Sequence, residues 1–270
     1  MKRTTLWLIM CAFCQLATAQ ISDVVPFSPS IAQTSVADTR CWTAFNNPAM
    51  LGYIEQGEFG VQLENRYFIT DLSTKSVQAG IITKPVKIGL SFSHFGYSLY
   101  HEMLVGMGFA RNFAEKFSMG VQFNYFTSYF SSTNTYHSAL LAQVGLAVQL
   151  SPNFNVGFNT FNPFQTNIQT ELVVKKIPSV FSIGTAYYFS PELVWRTQAD
   201  KEVSSNYRFA TGFEYGMTEE IQLKLGAYAT DYLVPCIGFG YELKSIRFDL
   251  NCELHPLLGI NTLGALKYRF

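Results

Sequence analysis

Phe117-Ser118-Met119-Gly120-Val121-Gln122-Phe123-Asn124-Tyr125 alternates without a break. Phe117, Met119, Val121, Phe123 and Tyr125 fall on one side; Ser118, Gly120, Gln122 and Asn124 fall on the other. A strand turns successive side chains to opposite faces, so this run has one apolar face and one polar, uncharged face. Other segments repeat the pattern. Leu140, Val144, Leu146 and Val148 oppose Gln143, Gly145 and Gln149. Tyr207, Phe209, Phe213 and Tyr215 oppose Arg208, Gly212 and Glu214, and Ile221, Leu223 and Leu225 oppose Gln222, Lys224 and Gly226. Ile246, Phe248 and Leu250 oppose Arg247, Asp249 and Asn251, and the chain ends with Leu266, Tyr268 and Phe270 against Ala265, Lys267 and Arg269.

Composition says what the apolar faces meet. Only 14% of the residues are charged and 16% are aromatic. A soluble surface normally carries about a quarter charged residues, which this chain lacks. After the N-terminal leader no apolar run reaches the roughly 18 residues of a spanning helix. From Phe117 to Thr170 there is no Asp, Glu, Lys or Arg, and the stretch is full of Asn, Gln, Ser, Thr and Gly instead. These features predict an all-β fold: a transmembrane antiparallel barrel with lipid outside and a polar interior. A net charge of zero argues against a nucleic-acid partner.

The links between strands fall into two alternating classes. Lys84-Pro85, 114–116, 151–153, Ser190-Pro191, Thr218-Glu219 and Lys244-Ser245 are short turns. Longer links are expected around 71–76, 95–102, 130–136, 162–178, 201–206, 230–233 and 255–260. Such alternation suits an outer-membrane barrel, with tight periplasmic turns and larger outer loops. Seven long and six short links join about 14 strands, or roughly 15 residues per strand and connector, enough for a tilted membrane strand. An even count puts both termini on the periplasmic side. Closure then sets Glu58 on the first strand beside Arg269 on the last, and Lys267 toward Asp249 on the penultimate strand. These four are candidate lumen charge pairs; the alternative is that they are solvated lining residues.

The N-terminus reads as three pieces. Lys2 and Arg3, the apolar run Leu6–Ala17 and the small residues Ala17-Thr18-Ala19 form a signal peptide over 1–19. Residues 20–57 carry Pro26, Pro29 and Pro48 and do not alternate, so they form either a periplasmic tail or a hatch or plug within the lumen. Residues 58–270 form the barrel. Beyond the leader Cys41, Cys236 and Cys252 remain, an odd count, with Cys236 inward and Cys252 outward.

The segment Trp42-Thr43-Ala44-Phe45-Asn46-Asn47-Pro48-Ala49-Met50-Leu51 resembles the NPA motif of the FadL-type superfamily of long-chain fatty-acid transporters and its PorV-type relatives. Ile177–Gly184, Gly212–Tyr215, Leu223–Gly226 and His255–Gly259 resemble later strands and links of that superfamily, in order. The resemblance implies a 14-stranded barrel in a Gram-negative outer membrane, with Asn47, Pro48 and Ala49 in an N-terminal hatch. The long outer loops of the fatty-acid transporters are missing. The first expectation is therefore a non-enzymatic, PorV-like accessory barrel that docks a protein partner of a secretion (type IX) or barrel-assembly complex. The alternative is a passive transporter of small hydrophobic compounds.

No nucleophile and base stand together in a recognisable motif, and no phosphate loop or zinc helix is present. His94, His101, His137 and His255 lack metal-ligand spacing, although His94 and His101 can meet across one hairpin. The sequence therefore predicts no catalytic residues, no metal and no cofactor. Membrane lipid is the surrounding partner. For Asn47-Pro48-Ala49 the structural reading, a rigid turn fixing the hatch, outweighs direct ligand contact.

Overall fold

The computed structural model describes residues 24–40, 44–114, 116–169 and 174–270. The expected signal peptide and Cys41 lie outside them. Fourteen strands close into one antiparallel barrel. They are β1 (Glu58–Arg66), β2 (Ile69–Ile81), β3 (Lys87–Gly96), β4 (Tyr100–Phe113), β5 (Phe117–Phe130), β6 (Thr135–Ser151) and β7 (Phe154–Phe161), then β10 (Val180–Tyr188), β11 (Leu193–Glu202), β12 (Tyr207–Gly216), β13 (Ile221–Ala229), β14 (Leu233–Leu243), β15 (Ile246–His255) and β16 (Gly259–Arg269). Between β7 and β10 a separate two-stranded hairpin, β8 (Asn167–Gln169) with β9 (Val174–Lys176), stands outside the barrel sheet. The seam pairs β1 with β16 from Glu58↔Arg269 to Arg66↔Asn261, so no strand edge is left open.

The alternation seen in the sequence sets the faces. On β5, Ser118 and Asn124 are fully buried inward, while Met119, Phe123 and Tyr125 are 44%, 50% and 52% exposed outward. The same holds around the wall: Leu223, Leu225, Ile237, Phe248, Leu266 and Tyr268 all face out. A continuous apolar exterior of this extent suits hydrocarbon, and closure satisfies every ladder hydrogen bond internally, as a membrane requires. Among the described residues no helix is long and apolar enough to cross a membrane.

The links alternate between the two ends as expected, but not by length. The end that carries Gly57 and Phe270, joined by paired backbone hydrogen bonds of 3.0 and 2.8 Å, has the links 82–86, 114–116, 152–153, 189–192, 217–220 and 244–245, which run from two to five residues. The other end, here the mouth, holds the remaining links, which run from two to four residues, except 162–179. One expected link is displaced. Residues 71–76 lie inside β2, with Thr74 and Ser76 buried inward and Val77 exposed outward. The chain reverses instead at Tyr67-Phe68, both at positive φ (58° and 56°). This is the geometry of a two-residue hairpin, whose twist matches the strands. Its usual Asn-Gly signal is absent, and the polar run Asp71–Ser76 imitates a loop although its inward members line a polar interior.

Candidate functional site: the filled lumen

The interior is occupied by residues 24–40 and 44–57. The first part runs past β1, β3, β12–β15, β11 and β7. Val24 O accepts from Ser93 Oγ at 2.6 Å, and Phe27 N donates to Glu64 at 2.9 Å. Pro29 O accepts from Lys224 Nζ and Asn251 Nδ2, both at 2.8 Å. Val36 N donates to Gln198 at 3.1 Å. The second part crosses to β2, β6, β5 and β3. Ala44 N donates to Gln78 at 2.8 Å, Ser118 Oγ donates to Ala49 O at 2.7 Å, and Lys87 Nζ donates to Gly52 O at 2.8 Å. A segment without regular structure must find partners for its buried backbone, and the inward polar side chains supply them.

Inward glycines make room for it. A Cβ on Gly157 would stand 2.0 Å from Val36 O, and one on Gly120 would stand 2.4 Å from the Pro48 carbonyl carbon. On Gly145 it would meet Asn47 Oδ1 at 1.9 Å. Any larger residue at these positions collides with the segment's backbone or its Asn47.

Asn47 is central to the packing. It is 1% exposed, its Oδ1 accepts from Ala49 N at 3.0 Å, and its Nδ2 donates to Val36 O at 2.7 Å. The first bond caps the 3₁₀ turn Pro48–Tyr53, in which Pro48 starts the helix without an unused N–H. The second ties the two parts of the segment together. Ala49 is fully buried.

Most of the buried charge lies on one side of the lumen; Lys87 on β3 and Glu102 on β4 are the exceptions. Arg196 on β11 is 2% exposed and bridges Asp38 of the segment (3.0 Å) to Glu214 on β12 (2.7 Å). Lys224 on β13 meets Asp249 on β15 at 2.6 Å, and Arg208 on β12 meets Asp200 on β11 at 2.6 Å. Arg208 also donates to Ala32 O at 2.6 Å, and Arg66 meets Glu64 on β1 at 2.6 Å. Each cation has an anion, as burial demands. Of the four charges expected to pair, Glu58 takes both Lys267 (3.1 Å) and Arg269 (3.4 Å). The Lys267–Asp249 pair is not among the described ion pairs. Asp249 is held by Lys224 and Arg247 (2.9 Å). The reason is register: Lys267 lies directly across from Arg247, while Glu58 is its diagonal neighbour over the seam.

Apart from Lys87 and Glu102 the opposite wall is uncharged and, toward the mouth, apolar. Phe95, Leu104, Phe126, Leu141 and Phe161 point inward from β3–β7 and are at most 5% exposed. They form one cluster with Ala44, Phe45, Met50, Leu51 and Ile54 of the segment and with Ile168 and Ile177 beside the β8–β9 hairpin. Lys175 on β9 reaches Glu102 and Tyr100 on β4, passing over the Phe126 ring at 5.2 Å, so the hairpin is tied across the mouth.

At the other end a cavity of about 820 Å³ opens between the segment and β11–β16 and β1. Arg40, Glu55, Glu58, Glu242, Arg247 and Arg269 line it, and so do Tyr53 and Ile54. Ile54 thus belongs to both the apolar cluster and the cavity wall. Residues 44–54 are what separates the apolar band at the mouth from the polar cavity.

Asp38, Arg196 and the inward aromatics were not singled out from the sequence, and Glu214 was placed on the polar face but without its partner Arg196. Each strand residue among them was available from strict register: Asn124, Phe126 and Ser128 continue the inward positions of β5, and Arg196 alternates with the outward Trp195. His94 and His101 do meet, stacked at 5.4 Å, but on the outer wall. Among the described residues no cluster of three His, Cys, Asp or Glu is arranged to hold a metal. Cys236 is buried inward and Cys252 is half-buried on the outward face, and both are free thiols.

No protein-family model matches this chain, and no curated protein matches it in sequence. Solved structures do match in shape. The toluene transporter TodX of Pseudomonas putida aligns over 89% of this chain and 95% of its own, with a TM-score of 0.65 and 10% identity. The monoaromatic hydrocarbon channel CymD aligns over 91% and 99%, with a TM-score of 0.63 and 10% identity. A Pseudomonas aeruginosa FadL homologue aligns over 94% and 96%, with a TM-score of 0.60 and 10% identity. At such identity the likeness shows a common fold: the chain has the barrel architecture of these transporters and channels, over nearly its whole length.

Proposed function

We propose that the chain is an outer-membrane conduit for small apolar compounds, gated by residues 24–57, with both termini at the periplasmic end. One observation carries the reading. An apolar band at the mouth and a polar cavity at the far end are separated by residues 44–54, which touch both. A small apolar solute would partition into the band under the β8–β9 hairpin and pass along the uncharged inward faces of β5–β7. It would enter the cavity when those residues shift. The shared fold with a toluene transporter and a hydrocarbon channel supports this class of solute. The partner-docking reading, in which the barrel serves a secretion or assembly complex, draws on the filled lumen, and its PorV-like form has no counterpart among the three structures above.

Uptake of radiolabelled toluene by proteoliposomes tests the proposal, with a hydrophilic sugar as control. Toluene entry above that of empty liposomes, without sugar entry, is the expected result. Equal entry with and without the protein would overturn it, and a stoichiometric protein recovered from native membranes in mild detergent would favour docking.

A further inference from the structure

Four rings form a ladder on the outer wall near the mouth, one on each of β3 to β6. His94 and His101 stack at 5.4 Å, His101 and Tyr129 at 4.8 Å, and Tyr129 and Tyr136 approach to 4.7 Å. Lys75 on β2 lies directly across from His94. It is exposed, and no carboxylate pairs with it among the described residues. The carboxylate that follows on β2 toward the mouth, Asp71, is four residues away.

A lysine on the lipid face is costly unless its ammonium reaches the headgroup layer. Lys75 is the seventh of the thirteen residues of β2, so its ammonium meets that layer by extending along the wall toward the mouth, beside the ladder. Beside it the imidazoles offer N–H donors in either protonation state, and the tyrosines offer flat faces and hydroxyls. At the opposite end the outer wall differs. There the girdle is Phe154, Tyr187, Phe189, Tyr268 and Phe270, and the cation Arg111 lies over Phe113 at 5.2 Å.

We propose that this face of β2–β6 docks the phosphorylated headgroup of an anionic glycolipid in the outer leaflet. Lys75 supplies the charge, His94 and His101 donate to phosphate oxygens, and Tyr129 and Tyr136 stack against sugar rings. The assignment rests on the outer-membrane reading above and on the mouth facing outward; it does not need transport.

The test is native mass spectrometry of the full chain in a neutral detergent, titrated with diphosphorylated lipid A and with its dephosphorylated form. The wild type should hold the phosphorylated form about ten-fold more tightly. Replacing Lys75, His94 and His101 together by Ala should remove most of that preference. Arg111→Ala, an equal loss of charge at the other end, should keep it. A heat-dependent gel shift verifies that each variant is folded. Equal retention of both lipids by the wild type, or equal loss in Arg111→Ala, overturns the proposal. A barrel that prefers the phosphorylated lipid but carries no toluene refutes the conduit alone.

Discussion

Replacing Arg196 by Leu removes the cation between Asp38 and Glu214, which are 1% and 6% exposed. Two carboxylates then stay buried with neutral donors alone: Ser30 Oγ (2.9 Å) and Arg40 N (3.2 Å) to Asp38, and Ile31 N (3.2 Å) to Glu214. At about 3 Å and an effective dielectric near 20, each lost attraction is on the order of 5 kcal/mol before desolvation is counted. Breaking a buried pair from one side typically costs about 3–5 kcal/mol, and that is the expected loss here. Glu214→Gln keeps an acceptor for Ile31 N and leaves Asp38 paired, so it should cost only about 1–3 kcal/mol. Changing all three together, Asp38→Leu, Arg196→Met and Glu214→Leu, should return stability close to wild type, because no charge is left unpaired. Urea unfolding in lipid–detergent bicelles, followed by tryptophan fluorescence, reads the order. An Arg196→Leu variant within about 1 kcal/mol of wild type would refute the account of this network as what fastens the first part of the segment to the wall.

Other substitutions probe the seat of the segment and the mouth. Gly157→Val sets a Cβ 2.0 Å from Val36 O, so residues 24–40 should be displaced and become sensitive to added protease, whereas Gly264→Ala, with nothing within 4 Å, should behave as wild type. The overpacking should cost about 1–3 kcal/mol in the same unfolding experiment. Lys175→Met leaves the buried Glu102 without its cation and should free the β8–β9 hairpin, seen as faster tryptic cleavage after Lys176; unchanged cleavage would show that the tie across the mouth does not hold it.

The architecture was legible because one physical signal, period-two alternation, runs through most of the chain. It placed Ser118, Gly120, Gln122 and Asn124 inward and Leu266, Tyr268 and Phe270 outward, and with the alternating links it led to the strand count and the Glu58–Arg269 seam. It failed where polarity imitated a loop, at Asp71–Ser76, and where two aromatics, Tyr67 and Phe68, took a turn usually signalled by Asn-Gly. The interior was less legible. Residues 24–57 have no period, so their path depends on contacts such as Arg196–Asp38 and Lys224 with Pro29 O, which join positions far apart in sequence. The inward glycines were visible as members of a polar face. That Gly145 and Gly157 are small because Asn47 and Val36 press against them follows only from the fold.

The central claim is that residues 44–54 must move for a solute to pass. A Cβ built on Gly52 lies 3.2 Å from Ser118 Cβ, so moving the two apart by a few tenths of an ångström reaches the Cβ separation of a disulfide. In a chain whose other cysteines are replaced by Ser, Gly52→Cys with Ser118→Cys therefore fastens these residues to β5. Toluene uptake by proteoliposomes, measured on one preparation before and after reduction, is the deciding measurement. The account predicts little uptake while the bond is intact and uptake near that of the untethered protein once it is reduced. Equal uptake in both states would contradict it.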